Sequence, residues 1–280
     1  MREVHVRLIT DEVERMCIHS NKHLSKDVVT CLEKMKDEET WPSAKDILEL
    51  IIQNAETASN THVPMCQDTG LVVVFLEVGQ EVQFKGGYIE DAINEGVRRG
   101  YDKGQLRKSV VRDPLTRENT GDNTPCIIHH KIVKGDKVKL TVIPKGFGSE
   151  NMSRIYMLKP SQGVQGVIES VLETVEIAGP NPCPPIVVGV GIGGTFEKAA
   201  LLAKKALIRP LGSSNEDSYY AQLEETILNK VNDLGIGPQG FGGKTTALKV
   251  HIETAPTHIA GLPVAINIGC HAYRHMEVTI

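Results

Sequence analysis

The stretch Ile186–Pro210, IVVGVGIGGTFEKAALLAKKALIRP, decides the fold class of this 280-residue chain. Residues 186–194 are an apolar run that ends in glycines, which is typical of a short buried strand. The residues after them place apolar side chains at helical spacing, and Pro210 ends that helix. The sequence therefore predicts a strand that turns tightly into a helix.

Strands and helices are predicted on both sides of this stretch. Residues from about 8 to 59 show helical spacing, and Pro64 ends that region. Further helices are predicted over 88–103, 162–177 and 218–234, and further strands at LVVVFLEVG, ALKVHIET, LPVAINIG, and at IIHHKIV and KVKLTVIP joined by the turn 134–136. This pattern predicts a mixed α/β (α+β) fold, in which a helical part, about residues 1–60, precedes a mixed sheet flanked by helices. We expect one domain over residues 1–280, with ligand loops that converge on one site.

The composition excludes several classes of protein. The chain has 31 Lys+Arg and 35 Asp+Glu, a net charge of −4 with neutral histidines. This balance disfavours a nucleic-acid partner, which needs clustered basic surface. No apolar run approaches the roughly 18 residues that span a bilayer, and MREVHVRLITDEVER lacks the apolar segment of a secretory signal. We therefore expect a cytoplasmic protein with no membrane partner, whose six cysteines stay reduced.

The cysteines divide into two groups by their local sequence. Three lie within helical patterns or begin a strand, where small buried hydrophobic residues are expected: Cys17, Cys31 and Cys126. The other three, Cys66, Cys183 and Cys270, lie in loops or at strand ends, in PMCQDTG, NPCPP and NIGCH. Their separations of 117 and 87 residues match no local zinc motif. Thiolate ligands of zinc or of an iron–sulfur cluster are therefore an alternative to a structural role.

Two glycine motifs partly match nucleotide-binding sequences. GVGIGG (Gly189–Gly194) fits the GxGxxG pattern, but the acidic residues about 20 positions on follow RPLGSSN rather than a second strand. We favour a tight strand-to-helix turn over an NAD-dependent oxidoreductase, with N–H groups that could hold an anion. GGKTT (Gly242–Thr246) ends like a P-loop, but Pro238 occupies the place of its first glycine. Lys244 and its neighbouring amides could instead meet a carboxylate, or they could simply be solvated.

Three further loop residues could serve an acidic substrate. Asp68 could orient a water or a proton donor, or it could cap a turn. Arg107 could form a fork on a carboxylate, or it could be a surface charge. His258 could act as an acid, a base or a hydrogen-bond donor, or it could be an ordinary surface histidine.

Taken in order, the loops resemble one known family. CQDTG, NTGDNTP, KGFGSEN, NPCPP with GVGIGG, LGIGPQGFGGKTT and GCHAYRH follow one another along the chain. This set resembles the α-subunit, or N-terminal domain, of the class I fumarase and L-tartrate dehydratase family of iron–sulfur hydro-lyases, from about residue 8 onward. The resemblance implies a [4Fe–4S] cluster held by Cys66, Cys183 and Cys270, with one iron free to act as a Lewis acid.

The resemblance also implies roles for individual residues. It implies that a substrate carboxylate is bound by Gln67, Arg107, Gly146, Gly148 and Ser149. Asp68 is implied to support the base or a proton relay, and His258 to donate a hydrogen bond to a substrate carboxylate. In KGFGSEN, Phe147 stands where the family typically has a second glycine.

The resemblance further implies a partner and a substrate class. The family's catalytic threonine and a substrate-binding lysine belong to a C-terminal domain, so a separate β-subunit, in an α2β2 assembly, is expected to supply them. The substrate is expected to be a small dicarboxylate. KGFGSEN and GFGGKTT are similar to the two-subunit fumarase version, which favours hydration of fumarate to L-malate. L-Tartrate dehydration to oxaloacetate is the alternative, and a non-catalytic subunit, with a zinc site or none, is another.

Overall fold

The computed structural model describes residues 1–280 and divides the chain into two units built from interleaved segments. The first unit comprises Met1–Leu24, Ala55–Phe147 and Arg274–Ile280, and the second comprises Ser25–Asn54 and Gly148–Tyr273. Each unit has its own sheet and its own hydrophobic core. Both units are built from separate segments of the chain. The prediction of a single domain over residues 1–280 stays a prediction.

The element order confirms the predicted mixed α/β class. The helices are α1 (Val6–Lys22), α2 (Lys26–Glu38), α3 (Pro42–Thr61), α4 (Ile89–Lys103), α5 (Phe147–Glu150), α6 (Gly163–Ala178), α7 (Phe196–Ala206) and α8 (Ser218–Asp233). The strands are β1 (Arg2–His5), β2 (Leu71–Gly79), β3 (Val82–Lys85), β4 (Ile127–Val133), β5 (Val138–Lys145), β6 (Arg154–Leu158), β7 (Ile186–Gly193), β8 (Ala247–Ala255), β9 (Leu262–Gly269) and β10 (Met276–Thr279). Four short strands were not predicted, because they carry little periodic signal: β1, β3, β6 and β10. No helix combines the length and the hydropathy needed to cross a bilayer.

The sheet of the first unit has the strand order β10-β5-β2-β4. The turn 134–136 joins β4 to β5 as predicted, but these two strands do not pair, because β2 lies between them. Gly79 allows the turn to lie against the end of β2, because a Cβ there would overlap the Gly135 carbonyl oxygen. Four apolar residues of β2 are buried at the centre of the sheet as a result: Val72, Val73, Val74 and Leu76.

Helices α1 and α4 pack closely together over this sheet. Two glycines of α4 make the approach possible, because a Cβ on Gly96 would lie 2.6 Å from the Thr10 carbonyl oxygen, and one on Gly100 would lie 2.8 Å from the Cys17 Cβ. Cys17 is therefore part of the helix interface and of the core, as its helical context predicts. The helices anchor Tyr101 at the end of α4, a buried side chain that is important for the site described below.

The sheet of the second unit has the order β6-β9-β7-β8, with β7 in a central position. Alternate residues of β7 point to opposite faces of the sheet. Val188 and Val190 belong to the core formed with α6 and α8, whereas Gly189 and Gly191 meet α7. Strand β7 is thus fully buried, with one helix layer on each face of its sheet.

Two of the GVGIGG glycines, Gly189 and Gly191, allow α7 to pack against the strand. A Cβ on Gly189 or Gly191 would overlap the carbonyl oxygens of Ala203 and Ala199 in α7, so this space is filled by protein. Strands β7 and β8 are parallel neighbours with α7 and α8 in the connection, a crossover that sequence reasoning did not expect. The preferred strand-to-helix turn is confirmed, because β7 ends at Gly193 and α7 begins at Phe196.

Candidate active-site loops

In the first unit, two loops from distant parts of the sequence lie side by side. They are 65–70, which precedes β2, and 144–147, which ends β5, and we call them together the Asp68 loops. Antiparallel pairing of Leu71 with Lys145 brings them together. Gly70 permits the approach, because its φ is +82° and a Cβ there would lie 2.6 Å from the carbonyl carbon of Pro144.

The Asp68 carboxylate is anchored by one N–H group from each loop. Its Oδ1 accepts a hydrogen bond from the Gly70 N–H at 3.0 Å, and its Oδ2 accepts one from the Phe147 N–H at 2.7 Å. A Cβ at Gly146 would lie 3.3 Å from Oδ2, so a larger residue would crowd the carboxylate. Asp68 therefore caps a turn and also presents a partly exposed carboxylate, which combines both interpretations made from the sequence.

Three other predicted site residues belong to the same unit. Cys66 is partly exposed, and its Sγ accepts a hydrogen bond from the Asp68 N–H at 3.4 Å. Gln67 is exposed, and its Oε1 lies 3.6 Å from the Cys66 Sγ. The Arg107 side chain is exposed, and its carbonyl accepts a hydrogen bond from the Thr69 hydroxyl at 2.7 Å. The structure thus brings Cys66, Gln67 and Asp68 together and holds the Arg107 backbone against the same loop.

Two buried residues that sequence reasoning missed hold the Asp68 loops. The Tyr101 hydroxyl donates to the carbonyl of Thr69 at 2.5 Å and is 2.9 Å from that of Gly70. Arg274 donates from Nη2 to the Asp68 carbonyl and from Nε to the Pro144 carbonyl, the latter at 3.2 Å. Tyr101 gives no signal beyond its place in a helix, but Arg274 lies within GCHAYRH, which was singled out for its cysteine alone.

In the second unit, Cys183 and Cys270 lie at one end of the sheet, which we call the cysteine end. Cys183 precedes β7 and Cys270 follows β9, and antiparallel pairing sets Val187 opposite Gly269. The His271 N–H donates to the Cys183 carbonyl at 3.3 Å, and the His271 Nδ1 lies 3.0 Å from the same oxygen. Cys183 is exposed and Cys270 is partly exposed.

The loop GIGPQGFGGKTT also lies at the cysteine end. Gln239 supports the loop after Cys183, because its backbone N–H and its side-chain amide both donate to the Pro184 carbonyl, at 2.8 and 2.7 Å. Gln239 has a φ of +52°, a conformation that its sequence context did not predict. This residue and His271 are positioning contacts that sequence reasoning missed.

The amides of GGKTT bind a carboxylate of the chain itself. Glu39 is 5% exposed, and its Oε2 accepts hydrogen bonds from the Lys244 N–H at 2.9 Å, the Thr245 N–H at 3.1 Å and the Thr245 hydroxyl at 3.0 Å. Its Oε1 accepts from the N–H groups of Thr40 and Trp41. The expectation that these amides meet a carboxylate is therefore confirmed, but that carboxylate belongs to the chain, and the exposed Lys244 side chain stays the candidate for a substrate.

His258 lies away from the two cysteines of its unit. It follows β8, whose last residue Ala255 is opposite Gly193, the last residue of β7. The eight residues of β7 span about 26 Å, so His258 is at the end of the sheet opposite Cys183 and Cys270. Its ring is exposed, and Nδ1 accepts a hydrogen bond from the Ala260 N–H at 3.2 Å. The expected convergence of His258 with these cysteines does not occur within this unit.

The KGFGSEN loop forms a helical turn rather than an open row of amides. Gly146 precedes α5, whose first amide, that of Phe147, is already bonded to Asp68. Gly148 is exposed and Ser149 is 3% exposed. Substrate contacts of Gly146, Gly148 and Ser149 stay a prediction, and the Phe147 N–H between them is already used by Asp68.

The structure divides the six cysteines as their sequence contexts did. Burial raises the pKa of Cys126 to about 12, and burial raises those of Cys17 and Cys31 as well, so all three stay neutral thiols at pH 7. Cys66, Cys183 and Cys270 are exposed or partly exposed, and no cysteine forms a disulfide. Their donor chemistry fits thiolate ligation of iron, and the Asp68 N–H bonded to the Cys66 Sγ is the kind of contact that supports a bound thiolate. No three His, Cys, Asp or Glu side chains are close enough to hold a single metal ion.

Glu39 makes the stability of the second unit dependent on pH. Burial raises the pKa of its carboxyl, but hydrogen bonds from Trp41, Thr245, Thr40 and Lys244 outweigh burial, and the pKa lies below its usual range. The resulting stabilisation is fully present above the unfolded pKa of about 4.3 and is lost as the pH falls through the folded value.

We expect Glu39→Gln to lower the free energy of unfolding by about 3 kcal/mol at pH 7, because an amide NH2 would face backbone donors. The substitution should also shrink the difference between urea unfolding measured at pH 7 and at pH 3. Glu49→Gln is the matched control, since Glu49 pairs with Lys36 at a largely exposed site, and it should cost under about 1 kcal/mol. Equal losses in the two variants would contradict the assigned role of Glu39.

Comparison with known proteins places the chain in a family. A sequence profile described as fumarate hydratase (Fumerase) matches residues 10–279. A Methanocaldococcus jannaschii protein, provisionally named L(+)-tartrate dehydratase subunit alpha, is 45% identical over 272 residues, which cover 95% of each chain. Proteins named L(+)-tartrate dehydratase subunit alpha from Escherichia coli K12 and Shigella boydii serotype 4 are 34% identical over 272 residues, 96% of this chain and 89% of theirs. This chain belongs to the fumarate hydratase family and is a hydro-lyase.

Proposed function

We propose that the chain is the α-subunit of an iron–sulfur hydro-lyase that removes water from a small hydroxydicarboxylate. One observation carries the proposal: the three cysteines of the family's loops are exposed or partly exposed, whereas burial raises the pKa of each of the other three thiols. The other three cysteines are buried or half-buried thiols with raised pKa values, which makes them poor ligands.

In this proposal Cys66, Cys183 and Cys270 hold a [4Fe–4S] cluster. Such a cluster, when bound by three thiolates, supplies an iron that polarises the bond between carbon and the departing hydroxyl. The chain contributes fixed ligand loops: the Asp68 N–H bonds to the Cys66 Sγ, and His271 and Gln239 hold the backbone around Cys183.

Asp68 is the residue that we propose to handle the proton lost from the carbon beside the hydroxyl-bearing carbon. That C–H bond is weakly acidic, because a neighbouring carboxylate activates it poorly, so a correctly oriented acceptor is required. The two N–H groups that anchor Asp68 use one lone pair on each carboxylate oxygen. The remaining lone pairs can accept the proton or orient a group that does.

The substrate carboxylates are proposed to meet the exposed polar side chains of Gln67, Arg107 and Lys244. Arg107 offers a planar guanidinium that matches a carboxylate in a bidentate arrangement, and Gln67 follows Cys66 directly. The Gly146 loop supports this set by fixing Asp68 through the Phe147 amide. Charge stabilisation of this kind is needed because deprotonation beside a carboxylate builds negative charge.

His258 stays in the proposal as a hydrogen-bond donor to a substrate carboxylate, with one condition. It is at the opposite end of its sheet from Cys183 and Cys270, so a His258 that serves the same substrate must come from another copy of the chain. The expected α2β2 assembly would supply that copy. The names of the relatives, which end in subunit alpha, support a separate β-type partner for this chain as well.

The relatives' names favour L-tartrate as substrate, with oxaloacetate as the product, over the fumarate that the loop sequences favoured. Fumarate hydration stays the second candidate, because KGFGSEN (145–151) resembles the two-subunit fumarase loop and the matching family profile is that of fumarate hydratase. Both reactions break or form a C–O bond beside a C–H bond, so the same Asp68 chemistry serves either substrate.

The test is an activity assay on the chain co-purified with its β-type partner without oxygen. We expect water loss from L-tartrate, followed as oxaloacetate, to be at least about tenfold faster in kcat/KM than fumarate hydration, a difference of about 1.4 kcal/mol. A reversed ratio would assign the enzyme to fumarate and L-malate. Turnover of neither substrate by a complex that holds iron and sulfide would favour the non-catalytic alternative, and nicotinamide-dependent turnover would overturn the proposal.

A further inference from the structure

We propose that Arg274 is a positioning residue that fixes the Asp68 carboxylate in its working orientation, an inference that rests on the proposed function. Arg274 is 5% exposed and lies just before β10, far along the chain from both Asp68 loops. Its guanidinium touches backbone carbonyls and not the Asp68 carboxylate, so it acts through the loops rather than on the substrate.

The guanidinium joins the two loops that hold Asp68. Nη2 donates to the carbonyl of Asp68 in the first loop, and Nε donates to the carbonyl of Pro144 in the second. The carboxylate itself takes one N–H from each loop, from Gly70 and from Phe147. Because a guanidinium is a rigid planar fork, Arg274 fixes the separation of the two loops and therefore the separation of the two carboxylate anchors.

The same side chain carries a buried charge with little local compensation. Arg274 takes part in no ion pair, and its Nη1 is buried without a hydrogen-bond partner. A buried charge of this kind destabilises a fold. Asp68 belongs to one of the two loops that the guanidinium holds, so this positive charge favours the ionised form of its carboxylate, which a neutral bridging residue would not do.

The bridging geometry is tested first on the chain alone, by hydrogen–deuterium exchange of peptides that cover the Gly70 and Phe147 amides. In Arg274→Lys, whose ammonium cannot bridge two carbonyls as a planar fork does, exchange of both amides should rise by about tenfold, the effect of losing roughly one hydrogen bond. Arg274→Gln is the second variant. Its neutral side chain allows the same exchange measurement if the buried ammonium of Arg274→Lys prevents folding. Unchanged exchange at both amides in a folded variant would overturn the inference.

Arg209→Lys is the matched control for losing a buried arginine. Arg209 lies in the second unit, pairs with Glu224 at 2.6 Å, and also has a buried Nη2 without a partner. Its replacement should lower thermal stability but leave exchange at Gly70 and Phe147 unchanged. Faster exchange at these amides in Arg209→Lys as well would mean that general destabilisation explains the effect, and would overturn the inference.

The catalytic consequence is measured in the cluster-loaded complex. Arg274→Lys should keep its iron and sulfide, lower kcat per cluster by about 10- to 100-fold and leave KM within about threefold, because a shift of the order of 1 Å in a reacting group has that effect. A kcat that falls only in proportion to lost iron would overturn the inference, since Arg274 would then act on the Cys66 loop as a structural contact. If the wild-type complex holds no cluster, the proposed function fails, whereas the exchange result still decides whether Arg274 anchors Asp68.

Discussion

Replacing Cys183 by serine should remove nearly all of the iron and acid-labile sulfide from the chain reconstituted without oxygen. The wild-type chain with its partner should bind about four of each, the content of one [4Fe–4S] cluster. Cys66→Ser and Cys270→Ser should have the same effect, because a serine hydroxyl is not ionised at neutral pH and is a poor ligand for iron. Hydro-lyase activity should fall below detection in all three variants, which makes this the largest effect that we expect.

Cys31→Ser is the control for this series. Cys31 lies on α2, is partly exposed, and makes only a weak contact with the Leu248 carbonyl, at 3.9 Å from Sγ. It suits the comparison better than Cys17, which is fully buried and whose replacement would place a hydroxyl in the core. Iron and sulfide should stay at the wild-type level in Cys31→Ser. Zinc in place of iron, or iron that survives in Cys183→Ser, would contradict the proposed ligand set.

The second large effect is expected from Asp68→Asn. An asparagine retains one oxygen acceptor, but its NH2 group must then face either the Gly70 or the Phe147 N–H, so the side chain loses both its charge and one anchor. Removing a positioned acid or base lowers turnover by typically 10²- to 10⁴-fold, and we expect kcat to fall within that range. Iron and sulfide should be retained, because Cys66 keeps its thiol.

Asp113→Asn controls for the loss of a turn-capping aspartate. Asp113 accepts hydrogen bonds from the N–H groups of Leu115 and Thr116, at 2.9 and 2.8 Å, in another loop of the same unit. It resembles Asp68 in its backbone contacts but lies outside the Asp68 loops. Activity per cluster in Asp113→Asn should match the wild type. A similar loss of activity in both variants would show that loop stability, rather than proton handling, explains Asp68.

Local sequence patterns predicted those parts of the fold that depend on local periodicity. Strand β2 has the predicted bounds, Leu71–Gly79, and helix α6 lies within one residue of its prediction, because apolar period and glycine or proline boundaries mark both. Helix α7 ends at Ala206, before the predicted end at Pro210, since residues 207–210 leave the helix as a turn. Four short strands were not predicted, because they have too few residues to show an alternation of apolar and polar side chains.

The residues of the candidate site likewise include some that local sequence predicted and others that only distant contacts reveal. The cysteines of the loops could be separated from those of helices and strands by local sequence, since glycine and proline neighbours indicate a loop. The Asp68 anchors could not be predicted, because Phe147 lies 79 residues away and is brought close only by the pairing of Leu71 with Lys145. The carboxylate that occupies the GGKTT amides was equally hidden, since Glu39 precedes Lys244 by 205 residues.

The sequence by itself determined the mixed α/β class, the central strand Ile186–Gly193 with its following helix, the division of the cysteines and the family. These features depend on residue type and on spacing within a few positions, so they do not require knowledge of which distant segments meet. Only the tertiary structure decided that Arg274 bridges the Asp68 loops, that Glu39 fills the GGKTT amides, and that His258 lies opposite the cysteine end. Strand order and register set these contacts, and both are chosen by burial over the whole chain rather than by any local segment.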